Sequence, residues 1–333
     1  MRGTVEIHRL HAASLEDNPL GSPAKRTLVV YLPPDYAAAG ERYPLVVFLH
    51  GFNGSALGWL NVTPFMPSVP ERLDALIAGG KVAPVIGVFP DGLTELGGTQ
   101  WENGEAVGRY RDYIVQDVLS FADEHFRTRR GPASRALVGK SSGGYGAISI
   151  AGRHPDVFAH LASHAGDAYF EYCYLPEFPK AAQTLLKGGG VAPWYHDFLR
   201  RGRETKHKPD DHATINVLAM AAHYSPKAGE PLGLELPFEL QTAALRDDVW
   251  ARWLQHDPVR FVPQRIDGYR KLKSIFLDCG TRDEFNIRWG TRMISTALKK
   301  ANVAHLHEEF EDGHMGINYR YERSLAYVIP RMD

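Results

Sequence analysis

The chain has 333 residues, 44% of them hydrophobic and 23% charged, and its 38 Lys and Arg nearly cancel 39 Asp and Glu. That is ordinary globular composition with enough chain for a large core, and a net charge of -1 gives no electrostatic footprint for nucleic acid or an anionic membrane. Two cysteines, Cys173 and Cys279, exclude a disulfide framework. No run reaches the roughly 18 apolar residues of a spanning helix, and Met-Arg-Gly-Thr-Val-Glu-Ile-His has no apolar signal core. A cytoplasmic location is expected, with no membrane or nucleic-acid partner.

Val5 and Ile7 alternate with Glu6 and His8 and predict a first strand. Thr27 to Leu32 is a second, stopped by Pro33-Pro34. Leu45 to Leu49 is apolar throughout, as in a strand covered on both faces, and ends in His50-Gly51-Phe52-Asn53-Gly54. Leu73, Leu76 and Ile77 mark a helix ending at Gly79-Gly80. Val85 to Phe89 is another buried strand. Gly97 to Gly108 reads as a loop carrying Trp101 and Asn103. A helix follows with Tyr110, Ile114, Val118 and Phe121 on one stripe.

Ala136-Leu137-Val138 then leads into Gly139-Lys140-Ser141-Ser142-Gly143, with helical character from Tyr145 to Gly152. Read as G-x-S-x-G, this is a strand–turn–helix with Ser141 in a tight turn between glycines that let the backbone bend. The same letters could end a phosphate loop, but that motif needs glycine at position 134, which is Ser134.

Phe158 to His164 is the next strand candidate. From Asp167 to Leu236 the rhythm changes to crowded aromatics and prolines, then a polar basic stretch. This segment, 167–236, is read as an insertion over the sheet edge, a lid or pocket wall within a single domain spanning 1–333. His207, Asp210, Asp211 and His212 within it could suggest a metal, but beside Lys206, Lys208 and Pro209 they read better as an exposed polar loop. Val249 to Leu254 is helical. Ser274 to Asp278 is a strand leading to Gly280-Thr281-Arg282-Asp283-Glu284. Trp289, Met293, Ile294, Ala297 and Leu298 form a helical stripe. His305 to Phe310 is the last strand, Asp312-Gly313-His314-Met315-Gly316 follows it, and a final helix covers Tyr319 to Val328. Strands alternating with helices predict a mostly parallel sheet with helices on both faces.

A serine hydroxyl needs a base, and the base needs a carboxylate to hold its tautomer. In an α/β sheet these converge beyond the carboxyl ends of strands. Ser141, Asp283 and His314 meet that demand in chain order. Asp278 lies inside its strand, Glu284 is a neighbouring substitute acid, and His305 and His307 alternate along a strand. The oxyanion donors expected are the backbone N–H groups of Ser142 and Phe52. Phe52, Asn53 and Trp101 are candidate pocket residues, and Lys140 is expected to point away from the substrate.

Thr27 to Pro34 with Asp35-Tyr36, Leu49-His50-Gly51, Pro90-Asp91-Gly92, Gly139 to Gly144, Gly280 to Asp283 and Gly313-His314 together resemble the putative-esterase family of α/β-hydrolases. That family includes esterase D (S-formylglutathione hydrolase), enterochelin-esterase-like proteins, feruloyl esterases and antigen 85 mycolyltransferases. The resemblance covers about residues 25–170 and 270–320. It implies hydrolysis of a small-molecule ester through an acyl-enzyme, without metal or organic cofactor, with Ser141 as nucleophile, His314 as base and Asp283 as acid. Ser142 after the nucleophile departs from the frequent Ser-Met-Gly-Gly, and the 167–236 segment is longer than in compact members. Acyl transfer to a sugar or other alcohol, thioester cleavage, and a non-catalytic binding module on the same scaffold are the alternatives.

Overall fold

The computed structural model describes residues 1–61 and 63–333. Its centre is an eight-stranded sheet: β1 (Thr4–His11), β2 (Lys25–Leu32), β3 (Leu45–Leu49), β4 (Ile86–Pro90), β5 (Arg135–Lys140), β6 (His160–His164), β7 (Ser274–Gly280) and β8 (Leu306–Phe310). The spatial order is β1-β2-β4-β3-β5-β6-β7-β8. The β1–β2 and β2–β4 ladders are antiparallel, and every other ladder is parallel.

The wholly apolar β3 lies between β4 and β5, and its side chains divide by the two-residue period of a strand. Leu45, Val47 and Leu49 enter the core on one face of the sheet, and Val46 and Phe48 enter the core on the other. Helix α1 (Val69–Ala78), begun by a reciprocal Ser68–Glu71 capping box, covers the second face with the C-terminal helix α12 (Arg320–Val328). The first face is covered by α2 (residues 110–125, π-helical over Tyr113–Val118), α3 (Ser142–Arg153) and α11 (Ile287–Lys300). Between β6 and β7 the chain builds α4 (Phe170–Cys173), α5 (Phe178–Lys187), α6 (Val191–Glu204), α7 (Asp211–Tyr224), α8 (Asp247–Leu254), α9 (Pro258–Gln264) and α10 (Ile266–Arg270). Among the described residues no helix is long and apolar enough to cross a membrane.

Two expectations are corrected. The stretch read as a loop from Gly97 contains short ribbons, Leu93–Thr94 with Gly97–Gly98 and Asn103–Gly104 with Gly108–Arg109. On α11, Trp289 and Met293 are each 44% exposed, whereas Ile287, Gly290, Thr291, Ile294 and Leu298 are buried. The buried face is rotated because α11 runs close to the chain at Ala168, where a Cβ on Gly290 would lie 2.7 Å from Ala168 carbon atoms. A glycine contributes nothing to a hydrophobic pattern, so the pattern misread which face is inside.

Candidate active site

The turn from β5 into α3 places Ser141 at φ 56°, ψ -127°, a left-handed position that an L-residue occupies only when its surroundings hold it there. The Ser141 N–H donates to the His164 carbonyl at 2.9 Å. The flanking glycines are required by contact. A Cβ on Gly139 would lie 2.3 Å from the Gly143 carbonyl, and one on Gly143 would lie 1.9 Å from the Leu49 oxygen. The elbow is thus wedged against the end of β3.

Asp283 follows β7, and His314 follows β8. His314 Nδ1 lies 2.7 Å from Asp283 Oδ2, and both residues are buried. Asp283 Oδ1 accepts the N–H groups of Phe285 at 3.0 Å and Ile287 at 3.3 Å. Burial pushes this carboxyl up, but the His314 hydrogen bond and charge and the two backbone donors outweigh it and hold Asp283 below the usual carboxylate range. An ionised Asp283 only accepts, so Nδ1 carries the proton and Nε2 is left with a lone pair. Glu284, the substitute acid, instead accepts the backbone N–H of His314 at 2.6 Å. Asp278 is committed elsewhere, to His164 Nδ1 at 2.7 Å and Arg320 Nε at 2.8 Å. His305 bonds to Ser295 and to the Val303 carbonyl.

Ser141 and His314 open onto one cavity of about 370 Å³. The Ser141 hydroxyl, however, donates to Asp167 Oδ1 at 3.3 Å. Asp167 sits three residues beyond β6 and is buried; in the sequence it carries no motif and stands only at the start of the inserted segment. Cys173, Tyr174, His212 and Asn216 from that segment also line the cavity. The N–H groups of Phe52 and Ser142, expected as oxyanion donors, have no acceptor among the described residues.

The other expectations divide. Phe52 and Asn53 line the cavity. Trp101 does not: it is fully buried, its Nε1 donates to the His50 carbonyl at 3.0 Å, and its ring meets His50 edge-on at 4.9 Å. Its indole packs under the His50–Gly51 loop rather than along the cavity wall. Lys140 lines the cavity instead of pointing away, with no hydrogen bond or ion pair among the described residues. Burial lowers its pKa against the attraction of Asp283, Asp167 and Glu284. Asp211 is paired with Arg201, and His207 stacks on Phe198. Among the described residues no group of three His, Cys, Asp or Glu side chains could hold a metal ion.

His50 was read only as part of a loop. Its Nδ1 lies 2.9 Å from the Gly51 carbonyl, and Nε2 accepts the Gly92 N–H at 2.8 Å, which assigns the Nδ1–H tautomer. Burial lowers its pKa and keeps it neutral in that role. The signal was present in the sequence as His50-Gly51 facing Pro90-Asp91-Gly92, but only the fold joins the two loops.

This sheet order, with a strained serine elbow after its fifth strand, defines the α/β-hydrolase fold. The family model described as "Putative esterase" matches residues 22–322, and the chain belongs to that family. Among curated proteins it is 29% identical over 177 residues to an endo-1,4-beta-xylanase/feruloyl esterase of Xylanibacter ruminicola, covering 50% of this chain and 22% of that protein. It is 31% identical over 144 residues to Esterase Rv1288 of Mycobacterium tuberculosis, covering 42% and 28%. The matched regions therefore span about a quarter of those relatives. A solved ferulic acid esterase superposes with a TM-score of 0.65 at 18% identity, covering 99% of both chains.

Proposed function

We propose that the protein is a serine carboxylic-ester hydrolase that works through an acyl-enzyme. The observation that carries the reading is the Asp283–His314 pair, which presents a free Nε2 to the same cavity as the strained Ser141. Ser141 Oγ attacks the ester carbon as its proton passes to His314 Nε2. The N–H groups of Phe52 and Ser142 receive the oxyanion, the carbon–oxygen bond to the alcohol breaks, and His314 returns the proton to the departing alkoxide. Water, deprotonated by His314, then releases the acid and restores Ser141. Phe52 and Asn53 are assigned to the substrate wall, and residues 167–236 to a cap over it.

The substrate class is a small-molecule ester, in keeping with the family and with relatives named as esterases. A cytoplasmic location completes the reading. It is supported by the free, buried thiols of Cys173 and Cys279, and cell fractionation tests it. An activated short-chain aryl ester should be turned over, and Ser141→Ala should lower kcat by about 10,000-fold or more. Normal turnover by folded Ser141→Ala protein would refute the assignment.

A further inference from the structure

We propose that Asp167 is a positioning residue for this reaction: its carboxylate sets the resting orientation of the Ser141 hydroxyl and then faces the imidazolium that forms at His314. The inference rests on the ester-hydrolase reading and adds a second carboxylate to it.

The geometry is that of a built station. Oδ2 accepts Tyr174 OH at 2.8 Å, Ser142 Oγ at 3.2 Å and Gln100 Nε2 at 3.3 Å, while among the described residues Oδ1 accepts only Ser141 Oγ at 3.3 Å. Gln100 Nε2 also donates to Ser142 Oγ at 2.8 Å, so the donors on Oδ2 brace one another. One oxygen is therefore fastened to three elements, and the other is left to the nucleophile. A carboxylate so clamped cannot follow the serine when it turns toward His314. The hydroxyl leaves a weak, long hydrogen bond for a stronger base, and Oδ1 stays behind in the cavity that His314 also lines.

The electrostatic setting agrees. Burial holds the pKa of Asp167 above the ordinary carboxylate value, against the opposing pull of Tyr174, the His314 charge, Gln100 and Ser142. A charge on His314 therefore favours the ionised form of Asp167. Lys140 from the end of β5 also attracts Asp167. From the inserted helices, burial pushes the Cys173 and Tyr174 groups and Tyr224 well above their ordinary values, so all three are neutral neighbours. Glu177 faces the same side, and burial raises it to about 7. His314 is the one group in this set whose charge changes during the reaction.

The test is Asp167→Asn, with kcat, KM and the pH profile of kcat/KM measured on a short aryl ester. Asn is nearly isosteric but neutral. We expect kcat to fall about 10- to 100-fold with KM within about 3-fold. Loss of the negative charge makes the imidazolium less stable, so the acid limb should move to lower pH and approach single-proton steepness. A wild-type kcat, or a lowered kcat with the acid limb unmoved, would overturn the proposal, because lost packing alone lowers rate without shifting a titration. Tyr174→Phe guards against misfolding of the first variant. It keeps the carboxyl group but loosens Oδ2, so kcat should fall, and unchanged kcat would count against the clamp. Wild-type protein that turns over no ester at all would instead refute the underlying hydrolase reading.

Discussion

Neither oxygen of Asp283 is idle: Oδ2 meets the imidazole of His314, and Oδ1 takes two backbone N–H groups. The carboxyl therefore fixes a tautomer and its own loop together. Its pKa lies below the ordinary carboxylate value, so its stabilising contribution is present at neutral pH and is lost as the pH falls through the folded-state value. Asp283→Asn keeps the Oδ1 acceptor but turns an amide toward the ring, which favours the wrong tautomer. The expected outcome is a loss of about 1,000- to 10,000-fold in kcat with a lowered unfolding midpoint at neutral pH, checked by steady-state kinetics and thermal melts. Asp278 offers the contrast: it too meets a histidine, His164, whose Nε2 lies 2.8 Å from Ser324 Oγ. That second chain of Ser, His and Asp is wholly buried, and none of its three residues lines the cavity. Geometry without access is architecture.

At the level of elements, the β5–α3 turn is where sequence and strain meet. Gly143 is small because the turn is pressed against the Leu49 carbonyl, the last residue of β3 before the oxyanion loop. Gly143→Ala would drive a methyl into backbone that has no freedom to move, and so displace the elbow and the Phe52 loop together. We expect a destabilisation of about 3 kcal/mol or more in denaturant titration, with kcat lowered in whatever folded protein remains. A mutation at Gly131 should be far milder sterically, since no atom lies within 4 Å of its Cβ position, although its φ of 121° adds backbone strain. Two small ribbons complete the support. The one holding Gly97–Gly98 lies under the Phe52–Asn53 turn, with the Gly98 Cβ position 3.0 Å from Phe52 Cα.

Over the whole molecule, the sheet carries Ser141 and His314 beyond its strand ends, and the helices between β6 and β7 supply part of the cavity wall. Glu177, which accepts from Asn216 Nδ2 at 2.7 Å, ties the turn before α5 to α7. Burial raises its pKa to about 7 against that hydrogen bond. A carboxyl with a raised folded-state pKa contributes stability below its unfolded value and loses it as the pH rises through about 7. Amide exchange in α5 and α7, corrected for intrinsic rates, should therefore quicken between about pH 6 and about pH 8, while β3 and β5 stay protected. Glu177→Gln should flatten that response, and an unchanged pH dependence in the variant would count against Glu177 as its source.

The strands and their order along the chain were legible because each rests on local signals such as an apolar run or a glycine pair, and the residues just past the strand ends are what put Ser141, Asp283 and His314 forward as candidates. Trp101, Lys140 and the α11 face were misread for a shared reason. Each depends on what approaches from elsewhere: His50 over the indole, the cavity beside Lys140, Ala168 against Gly290. Asp167 is the clearest case. It carries no motif, and it matters only because folding brings Ser141, Tyr174 and Gln100 to one carboxyl. The amino-acid order by itself determined the alternation of elements and the chemical groups at the strand ends, because hydrophobic period and turn chemistry act over a few residues. Tertiary structure alone decided which hydrogen bond the Ser141 hydroxyl makes, because that choice lies between two side chains from different loops, and only packing sets their distances.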